Sequence, residues 1–243
     1  MRQYGLIGFP LSHSFSQKYF TEKFLRENIN DAVFLNFSIP QVEDVTIIFS
    51  DHGQLKGLAV TIPYKKSIIK YLDETDEIVK EISACNCVKI AAHSKSGHNT
   101  DVIGFERSFL KNLKPHHSKA LVLGTGGAAS AVKFVLKKIG IEYLVVSRNA
   151  SEKTISYNDI TSEILSEYSV IINCTPLGTY PNVQEAPPLP YNFLNASHYL
   201  FDLVYNPLVT KFLQYGKNVN CTIQNGYEML VIQAEENWKI WNS

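Results

Sequence analysis

The sequence predicts an α/β protein with two domains, the first of them built on a mostly parallel sheet. Short apolar runs alternate with helical patterns along the 243 residues, and this alternation is typical of parallel sheets covered by helices. The length suits one large or two smaller domains. A polar stretch, KPHHSK (114–119), reads as a loop before a new series of strands, and we place the boundary near residue 100.

The first domain is expected to contain four strands. Apolar runs mark them, at YGLIGF (4–9), VFLNFSI (33–39), GLAVTI (57–62) and NCVKIAA (86–92). Helical patterns lie at 16–26, 41–50 and 101–113, and residues 93–97 have the composition of a turn.

The second domain is expected to repeat a strand–helix–strand pattern. Its predicted strands are ALVLG (120–124), YLVVS (143–147), VIINC (170–174), HYLFDLV (198–204) and NCTI (220–223). Helices are expected at 127–139 and 226–241.

Composition excludes several classes of function. Lys and Arg number 23, as do Asp and Glu, so no basic field is available for nucleic acid or an acidic membrane. No apolar run approaches the ~20 residues of a membrane span, and the first residues are too weakly apolar for a signal peptide. The four cysteines lack metal-site spacing and read as buried hydrophobes in a reducing cytosol. We expect a cytoplasmic protein without a metal.

The stretch LVLGTGGAASAVKFVL (121–136) has the form strand, glycine turn, helix. Gly124 allows the tight turn, Gly126 lets a pyrophosphate approach the backbone, and Gly127 and Ala128 open a helix whose N–H groups attract phosphate. A lone glycine pattern is weak, but the strand before it and the helix after it favour a Rossmann-like domain. The alternative is a glycine turn that merely packs the helix against the sheet.

The residues after the next strand indicate which dinucleotide is bound. Ser147, Arg148 and Asn149 stand where an NAD site carries an acid for the ribose 2′-hydroxyl. Arginine offers a permanently charged fork for a 2′-phosphate. The sequence therefore predicts NADP(H), although a solvated surface arginine is the commoner role.

Lys65 and Asp101 are the available acid–base pair of the first domain. Lys65 follows a predicted strand and Pro63, where the crevice of an α/β sheet binds ligands. A lysine can stabilise the charge that develops on a reacting oxygen, and a carboxylate can orient it. Capping the next helix is the ordinary alternative for Asp101.

The stretch GFPLSHSFS (8–16) lies between the first strand and the first helix. Ser14 and Ser16 can donate hydrogen bonds to one carboxylate there, although Ser16 also suits a helix cap. A serine hydrolase is disfavoured because sequence neighbours of His13 rarely have triad geometry and no G-x-S-x-G elbow is present.

These residues resemble the shikimate dehydrogenase family along nearly the whole chain. Eight segments match in order, namely GFPLSHSFS, VTIPYKK, ACNCVK, GHNTDVIGF, GTGGAASAV, IINCTPLG, FDLVYNPLVTKFL and QNGYEMLVIQAEENW. The resemblance implies NADPH-dependent, reversible reduction of 3-dehydroshikimate to shikimate in aromatic (chorismate) biosynthesis. It also implies a substrate-binding and catalytic domain of residues 1–100 plus 225–243, and an NADP-binding domain of residues 101–224.

The resemblance assigns roles to particular residues. It implies a catalytic pair of Lys65 and Asp101, a carboxylate site of Ser14, Ser16 and Tyr205, and further substrate contacts from Thr61, Asn86, Asn99 and Gln233. It implies cofactor contacts from Gly124, Gly126, Gly127, Ala128, Ser147, Arg148, Asn149, Lys153, Leu203 and Gly226. The partner is then a small molecule, and the chain a monomer or homodimer.

The sequence departs from the family pattern at several positions, and two alternatives stay open beside the NADP-dependent enzyme. Ser147-Arg148-Asn149 replaces Asn-Arg-Thr, and Tyr19-Phe20 stands where His-Asn is common. The first alternative is a quinate/shikimate dehydrogenase using NAD(P). The second is a non-catalytic dinucleotide-binding paralogue.

Replacing Arg148 with Asp should raise the KM for NADPH much more than the KM for NADH, because a carboxylate repels a 2′-phosphate and accepts a bond from a 2′-hydroxyl. Steady-state kinetics with both cofactors checks this. An equal effect on both cofactors would remove Arg148 from the 2′-phosphate site.

Overall fold

The computed structural model describes residues 1–11, 15–92 and 94–243. The chain divides into two compact units, the first of Met1–Thr100 with Gln233–Ser243 and the second of Asp101–Ile232. The C-terminal segment of the first unit thus begins at 233 rather than at the expected 225. The physical reason is that Glu228 packs within the second unit, where it pairs with Lys111 and accepts a bond from Gln224.

The first unit contains a six-stranded sheet in the order β2-β1-β3-β5-β6-β4. Its strands are β1 (Arg2–Gly8), β2 (Ala32–Ser38), β3 (Leu55–Val60), β4 (Glu74–Thr75), β5 (Cys87–Ile90) and β6 (Lys95–His98). Its helices are α1 (Phe15–Arg26), α2 (Val45–Asp51) and α3 (Glu77–Ile82), and short 3-10 turns lie at Val42–Asp44 and Ser67–Tyr71.

The first sheet is mostly parallel, with one antiparallel hairpin that the sequence did not predict. β1 pairs in parallel with β2 and β3, whereas β5 pairs antiparallel with both β3 and β6. β6 corrects the turn expected at 93–97, since KSGH lacks an apolar alternation and becomes a strand through its pairing with β5. The hairpin returns the chain to the sheet edge at which β3 ends.

The second unit contains a six-stranded, wholly parallel sheet in the order β12-β11-β10-β7-β8-β9. Its strands are β7 (Lys119–Leu123), β8 (Glu142–Ser147), β9 (Ile155–Ser156), β10 (Val170–Asn173), β11 (Tyr199–Asp202) and β12 (Thr222–Gln224). Its helices are α4 (Asp101–Phe109), α5 (Gly127–Lys138), α6 (Ser162–Glu167) and α7 (Lys211–Asn218), and the last helix of the chain is α8 (Tyr227–Trp241). This strand order is the doubly wound one, whose switch point lies between β7 and β10, so the Rossmann-like prediction is confirmed.

The C-terminal half of α8 packs on the first sheet through aromatic side chains. The Trp241 ring occupies the space that a Cβ on Gly57 would need, and its indole Nε1 donates to the Val88 carbonyl over 3.1 Å. The ring of Tyr4 stacks on that of Trp241 with 5.2 Å between their centroids, and the centroid of the Phe20 ring lies 5.3 Å from that of Trp241. This packing sets the position of every residue on that half of α8.

Two expectations about the whole chain concern membranes and cysteines. In the part of the chain that the structure describes, no helix combines the length and apolarity needed to cross a bilayer. The four cysteines are free thiols, and burial raises the pKa of Cys87 well above its ordinary value. Burial of the neutral thiol fits the role of a small hydrophobe.

Candidate active site

The carboxyl ends of β1 and β3 lie side by side at the same end of the first sheet, which we call its edge. The amide of Thr61 donates to the Ile7 carbonyl over 3.0 Å, and that of Phe9 donates to the Ile62 carbonyl over 3.1 Å. Gly8 permits this close approach, because a Cβ there would overlap the Thr61 side chain and lie 3.0 Å from the Ile62 oxygen. The start of the GFPLSHSFS stretch, at Gly8 and Phe9, and the turn that begins at Thr61 are therefore neighbours.

Lys65 lies on the turn that follows β3 and is half-buried, whereas Lys66 is exposed. The Lys65 carbonyl accepts a bond of 2.7 Å from the amide of Cys85, which anchors the turn to the chain entering β5. Ser16 is buried in the first turn of α1, and Ser14 lies outside the described residues.

The β5–β6 hairpin brings two asparagines to the same edge. Asn86 precedes β5, and Asn99 follows β6. Asn99 donates to the Ala84 carbonyl over 2.8 Å, while the Asn86 oxygen accepts from the Thr100 amide over 2.7 Å. Gln233 reaches this group from α8, since its oxygen accepts from Asn86 Nδ2 over 3.2 Å. Three residues that the resemblance assigns to the substrate thus lie close together at this edge.

Asp101 begins α4 and is buried within the second unit. Lys65 belongs to the first unit. The proposed pairing of their side chains therefore stays a prediction.

The glycine turn after β7 contains two glycines that are glycine for different reasons. Gly124 has φ of +107°, and a Cβ there would lie 3.2 Å from Thr175, so the protein's own backbone requires it. Gly126 has φ of −74°, which any residue adopts, and a Cβ there would meet no described atom within 4 Å. Nothing in the described chain requires Gly126 to lack a side chain, which fits a backbone approached by a ligand.

The N-terminus of α5 fits the pyrophosphate of a dinucleotide. Gly126 caps the helix without a side-chain hydrogen bond, and the first turn, which contains Gly127 and Ala128, carries no acid. Its N–H groups and helix dipole favour an anion.

Arg148 lies exposed directly after β8, at the start of a compact loop. Ser151 and Thr154 close this loop by exchanging backbone hydrogen bonds of 3.0 and 3.2 Å, and Thr154 Oγ1 donates to the Asn149 carbonyl over 3.3 Å. Lys153 lies between the two closing residues and is also exposed. Two basic residues on one closed loop, with Ser147 before it, fit a 2′-phosphate.

Leu203 and Gly226 adjoin each other as the resemblance implies. A Cβ on Gly226 would overlap the Leu203 carbonyl and lie 2.7 Å from its carbon, and the Gly226 amide donates to the Val204 carbonyl over 3.1 Å. Tyr205 follows in the same loop, where burial raises the pKa of its hydroxyl.

Sequence reasoning missed the buried carboxyl that holds these loops. Asp202 is wholly buried and accepts from Asn173 Nδ2 over 2.9 Å, from the Val204 amide over 3.0 Å and from Thr210 Oγ1 over 2.5 Å. Burial raises its pKa to about 7, although all three donors favour the charged form. The chain segment FDLV offered a signal, since an acid inside an apolar strand needs partners.

The doubly wound sheet, with an open glycine turn at its switch point, defines a dinucleotide-binding α/β protein that carries a second, polar-edged domain. Residues 6–88 match the profile of the shikimate dehydrogenase substrate binding domain. A shikimate dehydrogenase (NADP(+)) of Clostridium beijerinckii is 37% identical over 255 residues, which cover 99% of this chain and 92% of the relative. The chain belongs to the shikimate dehydrogenase family.

Solved structures of shikimate dehydrogenases have the same fold over nearly the whole chain. A shikimate dehydrogenase in complex with NADP+ has a TM-score of 0.86 at 31% identity, covering 99% of this chain and 90% of the other. The Thermus thermophilus enzyme in complex with NADP(H) and shikimate has a TM-score of 0.86 at 26% identity, covering 99% and 93%. The resemblance recognised from the eight segments is confirmed.

Replacing Gly126 with Ser should leave stability unchanged or raise it, because serine is a preferred helix cap. The new side chain should nevertheless raise the KM for NADP by about tenfold or more, since it fills the space kept for phosphate. Gly124→Ala is the matched control, expected to cost roughly 1–2 kcal/mol of stability through its positive φ. Unchanged cofactor kinetics in Gly126→Ser would refute the role of Gly126.

The stability of the wild type, measured relative to Asp202→Asn, should fall as pH rises from about 4 to about 7. Asp has a pKa of ~3.9 in the unfolded chain and about 7 when folded, so the folded state holds the extra proton across that window. The full difference is on the order of 4 kcal/mol. Urea unfolding of both proteins at several pH values measures it, and a flat difference would contradict the raised pKa.

Proposed function

We propose that this chain is an NADP-dependent shikimate dehydrogenase, an alcohol oxidoreductase that interconverts 3-dehydroshikimate and shikimate in chorismate and aromatic amino-acid biosynthesis. The observation that carries the proposal is the polar edge of the first sheet, where the Thr61–Lys65 turn adjoins the end of β1 and where Asn86, Asn99 and Gln233 gather. A small molecule with several hydroxyls and one acid group matches these donors and acceptors.

Lys65 stabilises the reacting oxygen. NADPH, when bound, supplies the hydride for the C3 ketone. Negative charge then grows on the ketone oxygen, and the Lys65 ammonium stabilises it and provides or relays the proton that completes the alcohol. Asp101 holds that ammonium and accepts a bond from the neighbouring C4 hydroxyl, so both groups are positioned before the reaction.

The remaining substrate residues divide between the acid group and the ring hydroxyls. Ser14, Ser16 and Tyr205 donate to the substrate carboxylate. Thr61, Asn86, Asn99 and Gln233 contact the ring and its hydroxyls. The first unit is accordingly the substrate domain, and the second the NADP domain.

In the cofactor site, the turn of Gly124, Gly126, Gly127 and Ala128 receives the pyrophosphate. Arg148 and Lys153 hold the 2′-phosphate, with Ser147 and Asn149 beside them. Leu203 and Gly226 border the nicotinamide. Charge and hydrogen-bond geometry make Arg148 the stronger of the two basic partners.

The proposed reaction also implies a cellular location and an oligomeric state. A biosynthetic dehydrogenase of this kind works in the cytoplasm on a diffusible substrate, as a monomer or homodimer. The alternative, a quinate dehydrogenase using NAD, is disfavoured because no acid stands at the end of β8.

A spectrophotometric assay that crosses shikimate and quinate with NADP and NAD tests the proposal, and shikimate with NADP should give the highest kcat/KM. In the same assay Lys65→Ala should lower kcat by roughly 10²–10⁴-fold with little change in KM, because its contact strengthens in the transition state. Lys66→Ala, an exposed neighbour, is the matched control and should behave as wild type. Near-normal turnover of Lys65→Ala, or a preference for quinate with NAD, would overturn the proposal.

A further inference from the structure

Four buried polar side chains of the first unit are joined in a ring of hydrogen bonds, which we call the amide ring. Its members are Asn86, Thr100, Gln233 and Asn237, exposed by 2%, 1%, 7% and 1%. Asn237 lies one turn beyond Gln233 on α8 and is not among the site residues that the resemblance implies. Its oxygen accepts from Thr100 Oγ1 over 2.6 Å, and its Nδ2 donates to the Gln233 oxygen over 3.4 Å.

The direction of every bond in the amide ring follows from one backbone N–H. The Thr100 amide can only donate, so the Asn86 atom it meets at 2.7 Å must be the oxygen. Asn86 Nδ2 therefore donates, to Thr100 Oγ1 over 3.0 Å and to Gln233 over 3.2 Å. The Gln233 atom that meets Asn86 Nδ2 is therefore its oxygen, and the Asn237 atom 3.4 Å from that oxygen is Nδ2. The Asn237 oxygen then faces Thr100 Oγ1, which donates to it over 2.6 Å and lies farther, at 3.2 Å, from the Asn86 oxygen.

The consequence falls on Gln233. Its carbonyl oxygen receives two donors, Asn86 Nδ2 and Asn237 Nδ2, which fixes which way its amide points. Within residues 1–11, 15–92 and 94–243, Gln233 Nε2 donates to no protein acceptor. The Gln233 carbonyl oxygen is thus used within the amide ring, whereas the Gln233 Nε2 group is left to donate to a ligand.

We propose that Asn237 is a positioning residue, which sets the Gln233 amide so that its Nε2 donates to a hydroxyl oxygen of the substrate. The inference rests on the proposed function, since it assumes that Gln233 contacts shikimate. Asn237 acts through Gln233 and does not touch the substrate. A fixed donor also gives selectivity, because an analogue that lacks the hydroxyl leaves the donor unpaired.

Asn237→Asp tests the direction of the amide with almost no change of shape. The carboxylate still accepts from Thr100 but cannot donate to Gln233. It attracts Gln233 Nε2 while Asn86 Nδ2 still requires the Gln233 oxygen, so the amide is no longer held with its Nε2 toward the substrate. The KM for shikimate should rise about tenfold, while kcat and the KM for NADP stay within about twofold. Asn237→Ala removes one donor without burying a charge, leaves Asn86 to hold Gln233, and should raise the KM for shikimate about threefold.

A double-mutant cycle separates positioning from general damage. In a Gln233→Ala background, neither substitution at Asn237 should change the KM for shikimate further, because the group it positions is gone. Lys239→Gln, an exposed position on the same helix, is the control and should leave all constants unchanged. If Asn237→Asp does not fold, the Asn237→Ala arm of the cycle decides.

The two proposals fail in different ways. A wild type that does not oxidise shikimate with NADP rejects the proposed function. An active wild type whose KM for shikimate is unaltered by Asn237→Ala, or equally altered in the Gln233→Ala background, rejects the role of Asn237.

Discussion

The packing of Trp241 against Gly57 is the contact on which the first unit depends. The indole fills the space that a side chain on the middle of β3 would take, and its N–H is satisfied by the Val88 carbonyl of β5. The contact fixes α8 relative to the sheet edge in both height and rotation. Gln233 and Asn237 lie two turns and one turn before Trp241, so their reach to Asn86 and Thr100 is a consequence of that packing.

A second constraint is that buried polar groups must be paired. In the first unit this requirement produces the amide ring, and in the second it gathers Asn173, Val204 and Thr210 around Asp202. Each network joins the ends of separate elements. Each therefore holds a loop in place more firmly than apolar contact could, because a misplaced donor costs more than a loosened methyl group.

The second sheet could be predicted from sequence almost strand by strand, because its strands are buried apolar runs such as LVL and VII that end in glycine or polar residues. The β5–β6 hairpin could not, since KSGH becomes a strand only through pairing with residues before it. The division of α8 at 233 was missed for a similar reason, because a continuous helical pattern does not record which neighbour each turn packs against.

The sequence predicted which residues belong to the candidate site better than it predicted how they contact one another. The residues Asn86, Asn99 and Gln233 were named from the resemblance, and the structure shows them close together. Asn237 and Asp202 were missed because their roles consist of hydrogen bonds to other side chains, which no spacing along the chain reveals. Gly124 and Gly126 look alike in sequence. Only their backbone angles and surroundings show that the backbone itself requires Gly124, whereas the space beside Gly126 is empty.

The first unit is formed by two segments that lie far apart in the sequence, and this affects the order in which the protein can fold during synthesis. All strands of its sheet lie within residues 1–100, yet its aromatic residues Tyr4 and Phe20 are covered by Trp241, which follows the whole of the second unit in the sequence. A ribosome delivers the chain from its N-terminus, so the second unit has all its residues before the first has its own. The unit whose synthesis begins first therefore cannot bury its apolar face until the residues of the second unit and the end of α8 have also been made.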